Sequence, residues 1–275
     1  MTNKSAVSAV AIISQLFLLS PSHAGGGPSV PGGGCAEIVG GLPLPFGVSV
    51  FYMYQESDYD VTSLHATAGG YPVPFLGAHA ITGVHNEVNE VNAKFDWWAQ
   101  PWLNFHAILG RVSGEADASL APDIRKMLGM NGFKVDYDGI VYGGGMTLAA
   151  GYKQIFGSIT ANYTWADVDL QGGRGMSLAD ANGIETLVIT PKIGWRFDKG
   201  AVWAGAFYQF TEHTQSGSIN LPGFGTVNFN AGVEDAAPWN FIMGGEYKIT
   251  DHWVLTGEVG LGNREQVLIG TTYRF

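Results

Sequence analysis

The sequence predicts an all-β fold: a single antiparallel up-and-down barrel of about ten strands, with eight or twelve strands as alternatives. Two observations predict it. Charged residues make up 14% of the 275 positions, against roughly 25% in an ordinary soluble domain, and 40 residues are glycine. From Gly47 onward, apolar residues recur at every second position in short runs separated by breaks, and a period of two is typical of strands.

Ten such runs follow one another, each close to the ten or so residues that a tilted strand needs to cross a bilayer. Short breaks, such as Gln100-Pro101, alternate with long polar breaks at 58–87, 114–138, 168–183 and 213–237. Short turns are therefore expected at one end, the periplasmic side, and long outer loops at the other. The runs span 47–57, 88–99, 102–113, 139–151, 155–167, 184–198, 201–212, 238–249, 252–262 and 265–275.

The N-terminus has the pattern of a secretory signal peptide over residues 1–24. Lys4 precedes an apolar stretch from Ala6 to Leu19, and Ser22-His23-Ala24 fits a small-x-small cleavage site. A Gly/Pro-rich periplasmic segment is predicted for 25–46 and the transmembrane barrel for 47–275. Cys35 is the only cysteine, so an internal disulfide is excluded, and its role is left open.

The eight tryptophans all fall near the ends of predicted strands. Trp is enriched at both lipid–water boundaries of membrane proteins, because the indole buries its ring in acyl chain and offers its N–H to water. A soluble core would concentrate aromatic residues in the middle of strands. The sequence therefore predicts two interfacial girdles formed by Trp97, Trp98, Trp102, Trp165, Trp195, Trp203, Trp239 and Trp253.

The faces opposite the apolar ones carry polar residues, as the lumen of a membrane barrel should. Because buried charges need partners, the simplest interpretation is a salt-bridge network that fills a narrow lumen. The functional alternative is a charged constriction that selects small solutes. The residues with inward parity are Glu90, Lys94, Asp96, Asn104, His106, Lys192, Arg196, Glu246, Lys248, Glu258 and Arg274.

The last strand resembles that of the Gram-negative outer-membrane β-barrel proteins. Its apolar residues alternate, with Ile269 and Tyr273 on one face, and the chain ends in the aromatic Phe275. The resemblance implies location in the outer membrane, contact with its lipid, and recognition of this strand by the assembly machinery. It does not indicate a subfamily.

The expected function is a narrow solute or ion pathway, or a structural surface protein, with a charged lumen. Ten strands enclose too little space for a wide porin. The main alternative is a barrel enzyme, a protease or lipid-modifying hydrolase, acting at the outer rim, although no histidine spacing predicts catalysis. A secreted soluble barrel that binds a ligand inside is a further alternative. The net charge of −10 gives no support for nucleic-acid binding, and no cofactor or metal is expected.

Deleting Phe275 tests the role of the last strand. We expect unassembled protein to accumulate in the periplasm, because the resemblance makes this residue part of the insertion signal. Heat-modifiable electrophoretic migration of membrane fractions measures assembly. Normal migration and normal membrane yield of the deletion variant would contradict the prediction.

Overall fold

The computed structural model describes residues 44–173, 176–179, 181–221 and 225–275. The predicted signal peptide, Cys35 and most of the predicted segment 25–46 lie outside the described residues. The described chain is almost entirely β-structure. Its elements are β1 (Phe46–Ala68), β2 (Tyr71–Pro72), a 3₁₀ helix (Ala78–Ala80), β3 (Ile81–Gln100), β4 (Leu103–Leu120), α1 (Pro122–Leu128), β5 (Gly132–Tyr152), β6 (Ile155–Gly172), β7 (Met176–Leu178), β8 (Ala181–Phe197), β9 (Gly200–Leu221), β10 (Gly225–Asp235), β11 (Trp239–Lys248), β12 (Trp253–Leu261) and β13 (Arg264–Arg274).

Ten antiparallel strands close into a barrel, in the order β1-β3-β4-β5-β6-β8-β9-β11-β12-β13. The ring closes where Gly47–Ser57 of β1 pairs with Arg264–Arg274 of β13. The prediction of an antiparallel up-and-down barrel of about ten strands is therefore confirmed. No helix among the described residues has the length and apolar character needed to cross a membrane.

The ten-stranded part, named here the membrane barrel, has an apolar band outside and mostly polar side chains inside, together with one buried apolar cluster of Phe51, Met53, Val188, Phe207, Ile242 and Leu268. Val50 on β1 and Phe241 on β11 expose 51% and 74% of their surface, although both are large and apolar. Their neighbours Ser49 and Asn240 point inward and are buried. Large apolar side chains on the outside of a barrel are favourable only where lipid surrounds it, because lipid-facing positions of a strand must be apolar.

The prediction of long outer loops is wrong in large part, because most of the residues assigned to these loops extend the strands. β1 continues eleven residues beyond the predicted end at 57, and β10 forms inside the predicted loop 213–237. β10 pairs with β9 on one side and with β1 on the other, where Tyr59 lies opposite Asp235. β11, β12 and β13 do not reach this level.

The ring therefore narrows from ten strands to eight, at the level of Tyr59. The eight strands are β1, β3, β4, β5, β6, β8, β9 and β10, and we name this part the distal barrel. The membrane barrel is wider because β11, β12 and β13 complete its ring, whereas β10 alone takes their place in the distal barrel. The 3₁₀ helix and α1 lie over the distal barrel, where Ala80, Ile124 and Leu128 are buried in its upper apolar cluster.

The polarity of the wall reverses along the strands before the ring narrows, and the reversed pattern continues into the distal barrel. On β4, the outward face passes from Ala107 and Leu109 to Arg111, Ser113, Glu115 and Asp117, while the inward face passes from Asn104 and His106 to Val112, Ala116 and Ala118. The strand does not change its register with β3 at this point, so the same face simply meets a different solvent. The distal barrel is built like a water-soluble barrel, with charges outside and apolar side chains inside.

Two arginine substitutions on the outward face of β4 test where the lipid ends. Ala107→Arg should impair insertion and cost about 2–4 kcal/mol, because it places a charge near the middle of the apolar band. Ser113→Arg, six residues farther along the same face, should fold like the unmodified protein. Refolding into lipid vesicles measures both. Equal costs for the two variants would contradict the boundary.

Candidate functional site

The polar residues predicted for the lumen point inward and are buried, with one exception. Side chains, not water, therefore fill much of the membrane barrel at this level. The buried residues are Glu90, Lys94, Asp96, Asn104, His106, Lys192, Arg196, Glu246, Glu258 and Arg274. The exception is Lys248, which lies at the rim and pairs with Asp251 of the adjoining turn at 2.8 Å, so it does not join a central network.

The first group of lumen charges is centred on Asp96. Arg274 Nη2 donates to Asp96 Oδ1 at 3.0 Å and to Oδ2 at 3.3 Å, Asn104 Nδ2 donates to Oδ1 at 3.0 Å, and Lys94 Nζ lies 3.9 Å from Oδ2. Arg274 and Asp96 sit on strands either side of β1, directly opposite Gly47 in both pairings. A side chain at Gly47 would collide with Asp96, so glycine there lets the ion pair cross the strand between them.

His106 extends this group along the lumen wall. Its Nε2 donates to Asn162 Oδ1 at 2.6 Å, and its Nδ1 lies 3.4 Å from Asn104 Oδ1. Gly145 on β5 lies between, and a Cβ there would come within 2.6 Å of His106 Nε2. Gly145, mid-strand in the triple-glycine run, thus makes room for the His106–Asn162 contact.

The second group corrects the prediction for Trp203, which is not in a girdle. Trp203 faces the lumen and is buried, because β9 begins at Gly200 and its odd positions Ala201 and Trp203 point inward. Its Nε1 donates to Glu258 Oε2 at 2.6 Å, and Lys192 Nζ donates to the same oxygen at 2.7 Å. Lys192 also lies 4.9 Å from the centre of the Trp203 ring, a cation–π distance.

The remaining predicted lumen residues make other contacts, and Glu246 is close enough to attract both Lys94 and Arg196 electrostatically. Arg196 packs over the ring of Phe156 at 4.9 Å, Glu90 accepts a 3.3 Å hydrogen bond from Asn92, and Glu246 lies opposite Thr256. Among the described residues, no group of three or more His, Cys, Asp or Glu side chains is arranged to hold a metal ion.

The other predicted girdle residues lie near the strand ends. Trp97, Trp102, Trp195, Trp239 and Trp253 are exposed on the outer wall, whereas Trp98 and Trp165 are partly buried. Ile269, Tyr273 and Phe275 of the last strand are also exposed there. Phe275 exchanges two backbone hydrogen bonds with Phe46, at 3.0 and 3.2 Å, which places the last residue at the short-turn end of the barrel seam.

The distal barrel encloses an apolar cavity of about 80 Å³, named here the distal chamber. All twenty side chains that line it are apolar, and they come from the wall, from β7, from the 3₁₀ helix and α1, and from the loops beside these two helices. They are Val61, Leu64, Ala66, Leu76, Ala80, Ile81, Val84, Ala116, Ala118, Leu120, Leu128, Met130, Phe133, Val135, Met176, Ile219, Val227, Phe229, Ala231 and Val233.

The chamber was not predicted from the sequence, although the sequence contains a signal for it. In 227–233, Val227, Phe229, Ala231 and Val233 alternate with polar or small residues, which is a strand pattern inside a predicted loop. On β4 the outward odd positions stop being apolar after Leu109, and the inward even positions are apolar or glycine from Ile108 onward. Such a change of phase within one strand marks the point where lipid gives way to water.

The outer wall is strongly acidic beyond the apolar band, beginning where Glu56 still pairs with Glu265 of β13 and continuing into the distal barrel. Glu56, Glu87, Glu115 and Asp136 stand directly opposite one another on four successive strands, an arrangement of like charges that costs stability. An ion pair between Lys134 and Glu115 offsets part of this repulsion.

His85 carries a further compensating contact on the same acidic face. Its Nδ1 lies 2.9 Å from Asp58 Oδ1, and this hydrogen bond raises the pKa of His85 above its ordinary value. Such a face suits water and excludes lipid.

Comparison with known proteins gives likenesses in structure only. No protein-family model and no curated protein matches the chain. Similar solved structures include the outer membrane protein OprG from Pseudomonas aeruginosa, with 14% identity, a TM-score of 0.45 and coverage of 86% of this chain and 99% of that one. The transport unit of the autotransporter AIDA-I from Escherichia coli has 11% identity, a TM-score of 0.42 and coverage of 84% and 90%.

The Pseudomonas putida toluene transporter TodX has 10% identity, a TM-score of 0.34 and coverage of 83% and 89%. The closed barrel and its lipid-facing wall have the architecture of an outer-membrane β-barrel, as the sequence predicts.

Two substitutions of aspartate test whether the lumen charges form a packed network. Asp96→Ala should destabilise the barrel by about 3–5 kcal/mol, because it leaves Arg274 and Lys94 buried without their carboxylate. Asp251→Ala removes the exposed partner of Lys248 and should change stability little. Thermal unfolding in detergent measures both. An Asp96→Ala variant as stable as Asp251→Ala would show that the lumen charges are solvated instead of packed.

Proposed function

We propose that this chain is an outer-membrane barrel that takes small apolar molecules into its distal chamber, above a narrow and normally closed lumen. The observation that carries the proposal is the inverted polarity of the distal barrel, which encloses an entirely apolar cavity beyond the lipid. A barrel that only anchors in the membrane has no need of this second, water-soluble barrel.

The orientation follows the resemblance noted for the last strand. In the family that it resembles, the short turns and the end of the chain lie in the periplasm. Phe275 lies at the short-turn end here, so the distal barrel faces the exterior. The chamber is then the first apolar space that a molecule arriving from outside meets.

The chemistry of the chamber favours an apolar guest over water. A water molecule needs only about 10–15 Å³ of such space but also two to four polar partners, which this lining does not provide. An apolar molecule gains roughly 25 cal/mol for each Å² that it removes from water. An engineered cavity of about 150 Å³ takes up benzene, so a guest with one ring requires side chains here to move aside. Met130 and Met176 line the chamber and have the flexible, unbranched side chains that allow this.

The lumen below supports a pathway that is closed to ions at rest. An ion crossing the membrane barrel has to pass the Asp96–Arg274 pair and the Lys192–Glu258 pair, both of which are buried. Separating either pair leaves a charge without its partner in a medium of low dielectric constant. We therefore expect low single-channel conductance in planar bilayers.

A structural surface protein is the second candidate, in which the apolar interior only stabilises the distal barrel. An enzyme is less well supported. The hydrogen-bond partners of His85 and His106 are Asp58, Asn104 and Asn162, which include no serine, threonine or cysteine nucleophile. We accordingly propose a role without catalysis.

Filling the chamber distinguishes uptake from a structural role. Ala231→Leu adds three carbons to the lining and should weaken the binding of para-fluorotoluene by about tenfold or more, a loss of about 1.4 kcal/mol or more. Ala107→Leu makes the same change on the lipid-facing wall and should leave binding unchanged. Fluorine NMR of the probe with refolded protein, referenced to empty micelles, measures the affinity. Absence of saturable binding in the unmodified protein would contradict the proposal.

A further inference from the structure

Six buried polar side chains meet where the ring narrows from ten strands to eight, directly beneath the distal chamber. Four of them are register partners across β1: Gln55 lies opposite Gln266, and Tyr59 lies opposite Asp235. Arg264 stands between these two pairs, opposite Ser57. We name the group the junction cluster, and its members are Gln55, Tyr59, Gln209, Asp235, Arg264 and Gln266.

An ion pair holds the cluster together. Arg264 Nη2 donates to Asp235 Oδ1 at 2.7 Å and to the carbonyl oxygen of Ala237 at 3.3 Å, and its guanidinium lies over the ring of Phe207 at 5.6 Å. Gln209 Nε2 donates to the same carboxylate oxygen at 3.4 Å. These contacts fix Arg264 across the gap between the tip of the β12–β13 hairpin and the end of β10.

Much of the hydrogen-bonding capacity of the cluster is left unused. Among the described residues, no partner reaches Arg264 Nε or Nη1, either polar atom of the Gln266 amide, Gln55 Oε1, Gln209 Oε1 or Asp235 Oδ2. The Tyr59 hydroxyl lies close to Ser57 and Asp235 without a hydrogen bond of normal geometry. Buried polar atoms without partners are rare and costly, so a concentration of them points to a polar guest.

The cluster and the chamber are adjacent parts of one wall. Val61 and Val233 line the chamber, and Tyr59 and Asp235 are the preceding and following inward positions on the same strands. Two residues along a strand span about 7 Å, close to the length of one aromatic ring with a polar substituent. A guest of that size can place its apolar body in the chamber and its polar group on the cluster.

The charges of the cluster define the polar group. Arg264 and Asp235 already neutralise one another, so a charged guest would bring an uncompensated charge into a buried site. A neutral group that both donates and accepts, such as a hydroxyl, matches the unused donors and acceptors.

We propose that the junction cluster is the polar half of the ligand site, and that the ligands are small neutral amphiphiles with a hydroxyl group, such as phenols or short alcohols. The proposal rests on the proposed function, since the apolar body of the ligand occupies the distal chamber. The cluster adds selectivity to a chamber that by itself would accept any small apolar molecule.

The test compares para-fluorophenol with para-fluorotoluene, two probes of one shape that differ in a hydroxyl and a methyl group. Fluorine NMR gives the affinity of each probe for the refolded full chain, after correction for its partition into empty micelles. We expect the phenol to bind about tenfold more tightly, as one or two hydrogen bonds to otherwise unpaired groups would give. Gln266→Leu should abolish this preference and leave the affinity for para-fluorotoluene unchanged.

Two further variants keep the test decisive. Tyr59→Phe removes one hydroxyl without a change of shape and should also reduce the preference, so the result does not depend on the folding of Gln266→Leu alone. Thr190→Val removes a buried hydroxyl in the membrane barrel, away from the cluster, and should preserve it.

The outcomes separate the two proposals. If para-fluorotoluene binds and para-fluorophenol binds no more tightly, the junction cluster is not a ligand subsite. The same conclusion follows if both cluster variants still bind the phenol more tightly. In either case the proposed uptake of apolar molecules stands. If neither probe binds, both proposals fail.

Discussion

The whole structure depends on one property of membrane hydrocarbon, which is that it forms no hydrogen bonds with the protein. Every backbone group that crosses it must be paired within the protein, so the crossing sheet has to close on itself. β1 meets this demand by pairing its first half with β13, and beyond the lipid its second half pairs with β10. The outward side chains obey the same constraint, which ends abruptly at Arg111 on β4 and at Asp138 on β5.

The division of the chain into two barrels follows from where that constraint stops. Within the lipid, polar side chains can only be satisfied inside, and the ion pairs of Asp96 and Lys192 fill the lumen. Beyond the lipid, water receives the charges, and the apolar side chains turn into the interior to form a chamber. The change from ten strands to eight comes farther along the wall, at Tyr59, which pairs through Val84 with Ala118 of β4. Arg264 occupies this junction because it is long enough to bridge the hairpin tip and β10.

The sequence was sufficient for the architecture and for much of the polar lumen, because a period of two is a local property that lipid enforces strictly. It was insufficient where contacts depend on the far side of the ring. Trp203 looks like a girdle residue by its distance from a turn, but its parity relative to Gly200 places it inside, beside Glu258. Arg264 sits in a short turn in the sequence, and only the pairing of β10 with β1 makes it a buried partner of Asp235.

The sequence of the distal barrel was interpreted as loops because of its acidic residues, such as Glu115 and Asp117, which are typical of solvated loops. Ala116 and Ala118 alternate with these residues and are the strand signal that was overlooked. Small apolar residues give a weak periodic signal, and glycines such as Gly114 interrupt it further. A search for strands whose apolar face changes parity would have found β4, and with it the boundary of the lipid.

The most direct measurement of the central claim is the environment of single spin labels along β4, on a background in which Cys35 is replaced by serine. Labels at Phe105 and Ala107 should be accessible to oxygen and not to a water-soluble nickel chelate, and labels at Glu115 and Asp117 should show the reverse. A label at Ala116 should be shielded from the nickel chelate, because it faces the apolar chamber. Lipid-type accessibility at Glu115 and Asp117, or water-type accessibility at Ala116 equal to theirs, would contradict a water-soluble barrel with an apolar interior above the membrane.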